Sequence, residues 1–523
     1  MLLLTAAESA RLDRATIDGG HASGDVLMER AGRGVVDALV RHVGSPLAWR
    51  VLVLCGGGNN GGDGFVVARQ LAAMGAQVHV AITASRERIA GDAANMLGRL
   101  IAAGVTPRFV DTPEALAALL GSGAWDLAID ALLGTGAVGD PHGIVALACE
   151  ALRRLQASGV RVVAVDVPSG VSADTGAAFA TAVQADLTVT FGAAKRGHFL
   201  YPGRILRGAL EVVDIGLVQP HEAGVRGVWL AQPRELGMAL PRRDGRAHKG
   251  DAGRALIVGG SQGMTGAVVL AARAACRAGA GYVRVGAPAS LQDVLAAQLV
   301  EAMPVAAGEG VHRSLTSSAA PALLEEAQHA DAVALGPGLS RHQESIAFAH
   351  AFAPHIPWPL VLDADALFAY SAPAGDLASL TAARTAPLVV TPHVGEMARL
   401  TGQAPEALET RRIEVAAEYA QRWRCVVVLK GAPTVIADAD GRVCVNPTGN
   451  PGMATADMGD VLTGIVVALL AQGMPAFEAA CAAVFAHGLA GDLAARELGA
   501  TGLVASDIVE RMPRAFQLLR DAR

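Results

Sequence analysis

Twice along this chain, short runs of Val, Leu, Ile and Ala lead into a glycine-rich turn and then into an alanine- and leucine-rich stretch. That alternation restricts the fold more than any other feature. Apolar runs of this length bury well only as strands covered on both faces, so they predict parallel sheets with helices on either side, an α/β fold. In the first half the predicted strands are VLVL (51–54), VHVAI (78–82), LAID (127–130), VVAVDV (162–167) and LTVTF (187–191). In the second they are ALIVGG, YVRVGAP, AVALGPG, PLVLDAD, PLVVTP and CVVVLKG, followed by helices expected around 460–472, 476–496 and 505–520. Residues 8–43 are expected to be helical from the spacing of Leu27, Ala31, Val35 and Leu39.

At 523 residues the chain exceeds the roughly 250–300 that a single core holds, which predicts two domains. The boundaries expected are 1–220 and 221–523, with a weakly periodic, proline- and glycine-containing linker within 218–250. Neither half repeats the other's motifs, so the chain is expected to be a fusion of unlike domains. A net charge of -6 without a long Lys or Arg run gives no footprint for nucleic acid or for an anionic membrane. The six scattered cysteines form no CxxC pair, which argues against a disulfide framework or structural zinc and fits a reducing cytoplasm. MLLLTAAESARLDR lacks the basic leader of a signal peptide. The apolar stretch IVVALLAQGMPAFEAACAAVF is interrupted by Gln472, Pro475 and Glu478 before the roughly 20 residues a bilayer needs. Small-molecule partners are therefore favoured.

The first half carries CGGGNNGGDG, with six glycines within 56–64 suited to close ligand approach and a helix expected to start near Gly62 or Asp63. Its spacing is not GxGxxG, and Asn59, Asn60 and Asp63 bring side chains that orient a ligand, which lowers a dinucleotide-dependent dehydrogenase reading. Two more loops, DALLGTGAVGDPHG and DVPSGVSADTG, leave predicted strands at the same sheet edge, where open parallel sheets form their ligand crevice. Asp130, Asn60 and Ser169 offer hard oxygen ligands for a cation, and Gly134, Thr135 and Gly136 a phosphate-sized cradle.

In the second half GGSQGMTGA, GPGLS (336–340), TPHVGEMARL (391–400) and KGAPTVI (430–436) all sit at predicted strand ends. NPTGNPGMATADMGDVLTG then leads into a helix. Gly459 and Asp460 at that helix start combine free N–H groups with a carboxylate, a pairing suited to phosphoryl transfer with Asp460 taking the hydroxyl proton.

LMERAG (27–32), NNGGDG (59–64), DALLGTG (130–136), VDVPSG (165–170) and FGAAKRG (191–197) closely resemble the NAD(P)H-hydrate epimerase domain, over roughly 5–215. The resemblance implies an N-terminal Rossmann-like three-layer sandwich. It also implies substrate contacts from Asn59, Asn60, Gly61, Gly62 and Asp63, from Gly134, Thr135, Gly136, Ala137, Val138, Gly139 and Asp140, and from a catalytic Asp166. Potassium would be held by Asn60, Asp130 and Ser169.

The second-half motifs, in their order, resemble the ribokinase-like, nucleotide-dependent NAD(P)H-hydrate dehydratase domain over roughly 225–520. By that resemblance Ala267, Gly338, His393 and the catalytic Asp460 contact the hydrate, while Lys430, Gly431, Ala432, Pro433, Thr434 and Gly459 contact the nucleotide. ADP is the expected co-substrate, with Mg2+. The whole is expected to be a cytoplasmic, homo-oligomeric metabolite-repair enzyme, both isomerase and lyase, acting on NADH and NADPH hydrates. Two departures from the pattern stand out: Ala456–Asp457 where two glycines are usual, and Ser340 where a glycine follows GPGL. A side chain at 457 is expected to restrict the backbone and to repel phosphate unless it points away or binds a metal. The alternatives are a small-molecule kinase of the same fold and a second domain that binds nucleotide without turnover.

Overall fold

The computed structural model describes residues 1–373 and 375–523, which form two compact units, Met1–Val228 and Trp229–Arg523. In the first, seven parallel strands lie in the order Arg108–Phe109, Gln77–Ile82, Arg50–Cys55, Leu127–Ala131, Arg161–Val165, Leu187–Phe191 and Ala209–Val213. Side-chain alternation explains the layers. Val51, Val53 and Cys55 enter one core with helices Gly24–Val43, Asn59–Ala73 and Gly91–Ala102, while Leu52 and Leu54 enter another with Pro113–Leu120 and Gly143–Ala157. The result is the expected three-layer sandwich.

The structure refines the first-half elements. The helical span foreseen for 8–43 is two helices, Ala6–Asp18 and Gly24–Val43, parted where Gly20 takes φ 71°. Leu2–Leu4 pairs in parallel with Ala194–Lys195, which fixes the backbone that carries Lys195.

In the second unit parallel strands run Met303–Ala307, Tyr282–Pro288, Arg254–Val258, Ala332–Leu335, Leu360–Leu362, Leu388–Val390 and Val426–Leu429. Val435–Ala437 and Val443–Val445 continue that sheet antiparallel. The segment foreseen as linker contains order of its own: Val228–Leu230, which pairs with Val443–Val445, and the helix Pro233–Ala239. Helix Met458–Ala471 is apolar all round because it is buried all round, packed closely on Thr265–Arg277, where Gly464 lies against the Ala271 backbone. It ends before Gly473, and Ala476–Leu498 begins after Pro475. Among the described residues no helix is long and apolar enough to cross a membrane.

Candidate active sites

In the first unit chain order reverses between the neighbouring strands Arg50–Cys55 and Leu127–Ala131, and the loops beyond them part to make a crevice. Helix Asn59–Ala73 starts three residues earlier than Gly62, directly after Gly58. Most of its glycines fit it to its neighbours. A Cβ on Gly61 would strike the Gly56 carbonyl, one on Gly62 would lie 2.5 Å from Met28 Sδ, and one on Gly64 2.5 Å from Ala131 Cβ, while Gly58 faces open space.

A cleft of about 820 Å³ is lined by Asn59, Asn60, Asp63, Gly134, Thr135, Gly136, Ala137 and Asp166, together with Asp13 and Lys195. Val138 and Gly139 line an adjoining pocket of about 270 Å³, and Asp140 is exposed outside both.

Asp166 follows strand Arg161–Val165 at φ 67°, a strained left-handed position that aims its buried carboxylate at a polar cluster. Lys195 Nζ donates to Asp166 Oδ1 at 2.8 Å, to Thr190 Oγ1 at 2.8 Å and to the Phe191 carbonyl at 3.2 Å. Thr190 Oγ1 donates to the same carboxylate oxygen at 2.8 Å, and His198 Nε2 lies 3.0 Å from the Asp166 carbonyl. Burial pushes the Asp166 carboxyl up, but Lys195 and Thr190 outweigh it and hold the group below its ordinary value. Burial, then Lys195, push His198 down to about 3, so its ring is neutral. Lys195 lies within the quoted motif FGAAKRG, yet only its complete burial and bonding reveal a role.

Asp130 is wholly buried and accepts from Ser169 Oγ at 2.6 Å, from the Ser169 backbone at 2.8 Å and from the Leu132 backbone at 3.3 Å. Burial raises it to about 6 against those bonds. Nearby, Asn60 has both amide atoms buried without a hydrogen-bond partner, and the Cβ position of Gly134 is 3.2 Å from its Oδ1.

In the second unit the strand-end loops bring distant residues together. Lys430 Nζ donates to Asp363 Oδ1 at 2.8 Å and lies 3.8 Å from Glu396 Oε2, while Thr463 Oγ1 donates to Asp363 Oδ2 at 2.7 Å. Gly459 stands over this pair: a Cβ there would be 3.1 Å from Lys430 Nζ and 3.5 Å from Asp363 Oδ2. Asp460 is buried one residue further along helix Met458–Ala471, and burial, then Asp363 and Asp457, raise it to about 7. Glu396 is likewise raised to about 7, chiefly by burial.

His393 pairs with Lys430 across neighbouring strand ends and caps helix Val394–Thr401, its Nδ1 accepting from the backbones of Gly395 at 3.0 Å and Glu396 at 3.3 Å. Burial, then Lys430, lower its pKa, and its Nε2 lies 3.5 Å from Glu396 Oε1. The Cβ position of Gly338 lies 3.2 Å from Ala267 Cβ, which sets those two positions side by side.

The loop Gly431–Thr434 is clamped from beneath by Arg412. This buried guanidinium donates to the carbonyls of Leu429 at 3.1 Å, Lys430 at 2.8 Å and Pro433 at 3.1 Å. Gly431 and Ala432 are exposed above it, and Thr434 Oγ1 donates to the Gly431 carbonyl at 3.1 Å. Asp363 and Arg412 were not singled out from the sequence because each lies far along the chain from the residues it serves, and Glu396, although inside TPHVGEMARL, nears Lys430 only through tertiary contact.

Both departures from the expected glycines keep a glycine's backbone. Asp457 stands at φ 66° and Ser340 at φ 78°. The Asp457 side chain is exposed and makes no capping bond to the helix it precedes. The restriction expected at Asp457 is met as backbone strain, since a residue with a Cβ rarely adopts a left-handed φ.

Comparison with known proteins adds sequence relatives over the whole chain. Residues 255–514 match the family model described as NAD(P)H-hydrate dehydratase, and residues 24–197 that described as YjeF-related protein N-terminus. A bifunctional NAD(P)H-hydrate repair enzyme of Moorella thermoacetica is 43% identical over 533 aligned residues, spanning 100% of this chain and 98% of that protein. One from Escherichia coli is 36% identical, spanning 93% and 88%. Among solved structures, an ADP/ATP-dependent NAD(P)H-hydrate dehydratase from Bacillus subtilis, co-crystallised with ATP/Mg2+, is 30% identical with a TM-score of 0.48, spanning 56% of this chain and 99% of that one.

Proposed function

The chain belongs to the bifunctional NAD(P)H-hydrate repair enzymes and thus epimerises and dehydrates hydrated nicotinamide cofactors, and we propose that its two units divide that work. The first is the epimerase, with Asn59, Asn60, Asp63, Gly134–Asp140 and Asp166 around the substrate. The second is the dehydratase, with Ala267, Gly338, His393 and Asp460 toward the hydrate and Lys430–Thr434 and Gly459 toward ADP. The observation that carries this reading is the buried Asp460 beside Gly459, at a helix N-terminus set against the Lys430–Asp363 pair.

In the hydrate, water has added across C5–C6 and leaves a hydroxyl at C6 next to the ring nitrogen. Hydroxide leaves poorly. Asp460, with a pKa near 7, takes the hydroxyl proton as the oxygen attacks the terminal phosphoryl group of ADP. The backbone N–H groups at the start of helix Met458–Ala471 bear the charge of the moving phosphoryl group. The ring nitrogen then expels phosphate from C6, and loss of a proton from C5 restores the dihydronicotinamide. In the first unit Asp166, held ionised by Lys195, moves protons at C6 so that both epimers reach the second.

The residues proposed for potassium fit a monovalent cation, since the orphaned Asn60 oxygen needs a partner and Asp130 supplies negative charge next to Ser169. Such an ion would contribute a fixed positive charge that ties the three loops. Among the described residues no group of three or more His, Cys, Asp or Glu could hold a metal ion. Mg2+ therefore enters the proposal only as the ion carried by nucleotide phosphates. Homo-oligomeric assembly and cytoplasmic residence belong to the same proposal, to be checked by light scattering and cell fractionation.

The test is recovery of the dihydronicotinamide absorbance band from mixed R and S NADH hydrate with ADP, ATP or no nucleotide. Complete, ADP-dependent recovery is expected. Recovery that stops at the S fraction would refute the epimerase half, and none at all the dehydratase half.

A further inference from the structure

Of the charged residues lining the first unit's cleft, three carboxylates interact with the Lys195 ammonium: Asp13 on helix Ala6–Asp18, Asp63 on helix Asn59–Ala73, and Asp166. Lys195 alone cannot serve all three. The Lys195 ammonium spends its contacts on Asp166, Thr190 and the Phe191 carbonyl. Asp63 is buried and, among the described residues, accepts no side-chain hydrogen bond. Its carboxyl faces two groups of like charge, Asp166 and Asp13, with Lys195 as the counterweight. Asp92 and Arg88 complete the charged lining of the cleft, and the neutral His198 lies behind Asp166.

We propose that Asp63 is the second catalytic residue of the epimerase, a carboxylic acid that gives a proton to the substrate while Asp166, held as carboxylate by Lys195, takes one. The inference rests on reading the first unit as the epimerase and deepens it. Burial, then Asp166 and Asp13, raise the Asp63 carboxyl well above its ordinary value, and Lys195 overcomes burial to lower Asp166. Two neighbouring carboxyls driven apart in this way are how one site supplies an acid and a base at the same pH.

The chemistry balances. Asp63 protonates the C6 hydroxyl as the C6–O bond breaks, the ring nitrogen's electron pair forms the C6=N bond, and water departs. Water adds to the other face of C6, Asp166 takes its extra proton, and the electron pair returns to nitrogen. The substrate has changed hand and the two carboxyls have exchanged a proton, so the opposite epimer is processed by the reverse assignment. Nothing is oxidised or reduced.

The experiment uses the full chain, R-NADH hydrate and water enriched in oxygen-18, with the two epimers separated by chromatography. Wild type is expected to place the label at C6 in each molecule it epimerises, and its kcat to fall on the alkaline side as Asp63 loses its proton. Asp63→Asn is expected to lower kcat by about 10²–10⁴-fold with KM changed less than roughly threefold, and Asp63→Glu to restore part of it. Epimerisation by wild type without label would overturn the inference, as would an Asp63→Asn protein with normal kcat or with only a raised KM. A wild type inactive on the R epimer would instead overturn the epimerase assignment, and the inference with it.

Discussion

Asp457→Gly separates strain from charge at the mouth of the dehydratase site. Asp457 occupies φ 66°, ψ -1° with no capping bond to lose. A residue with a Cβ gives up about 1–2 kcal/mol in that region, Asp toward the low end because its short polar side chain tolerates it. Glycine returns roughly 0.5–1 kcal/mol through its freer unfolded chain. The balance is a stabilisation of at most about 1 kcal/mol, or about 2–4 °C in Tm for a unit of this size. The charge effect is separate. Asp457 is the third cause, after burial and Asp363, of the raised Asp460. Removing it lowers Asp460, so the pH at which the base is half ionised moves down from about 7. The assays are calorimetry of the full chain and initial rates on S-NADH hydrate with ADP across that pH. A lower Tm would refute the strain argument, and a midpoint that stayed or rose would refute Asp460 as the titrating base.

Asp460→Asn is expected to cut dehydratase kcat by about 10²–10⁴-fold. It should also abolish a loss of stability that wild type suffers as pH rises through about 7, because a carboxyl whose folded pKa is raised favours the folded state only while protonated. Thermal melts on both sides of neutrality would show it. Lys195→Met leaves Asp166 buried without its cation, at a cost of about 3–5 kcal/mol at neutral pH. With its largest opposing group gone, burial is expected to raise the folded Asp166 pKa above the unfolded value despite the Thr190 bond, and stability should return as pH falls through it; a melting temperature insensitive to pH would contradict this. Arg412→Lys keeps the charge but not the three-carbonyl clamp, so KM for ADP is expected to rise about tenfold, near 1.4 kcal/mol, with kcat retained.

The sheets were legible because a strand covered on both faces is buried along its length and so runs in apolar residues, as VLVL at 51–54 does. Arg108–Phe109 was not, since two residues carry no period. The break at 19–23 was missed because the apolar spacing of the second helix masks the lone left-handed Gly20. Asp130 and Asp460 stood out as carboxylates at a strand end and a helix start, while Asp166 was named only through the resemblance to the epimerase domain. Their partners did not: Lys430 meets Asp363 across 67 positions, and only tertiary contact links them. Asp13 sits mid-helix in an unremarkable amphipathic segment, so nothing local marked it as a wall of the cleft.

The glycines of NNGGDG that wedge helix Asn59–Ala73 against Gly56, Met28 and Ala131 bear on how such chains can lose activity over time. A descendant that no longer needed epimerisation would still unfold if Gly61 or Gly64 acquired a side chain, so that signature would outlive the reaction. The acids are under no such obligation: Asp63 is buried and among the described residues accepts no side-chain hydrogen bond, so a neutral replacement there is expected to relieve the fold. In a degenerate copy, the letters that make the motif recognisable would persist while Asp63 drifted first.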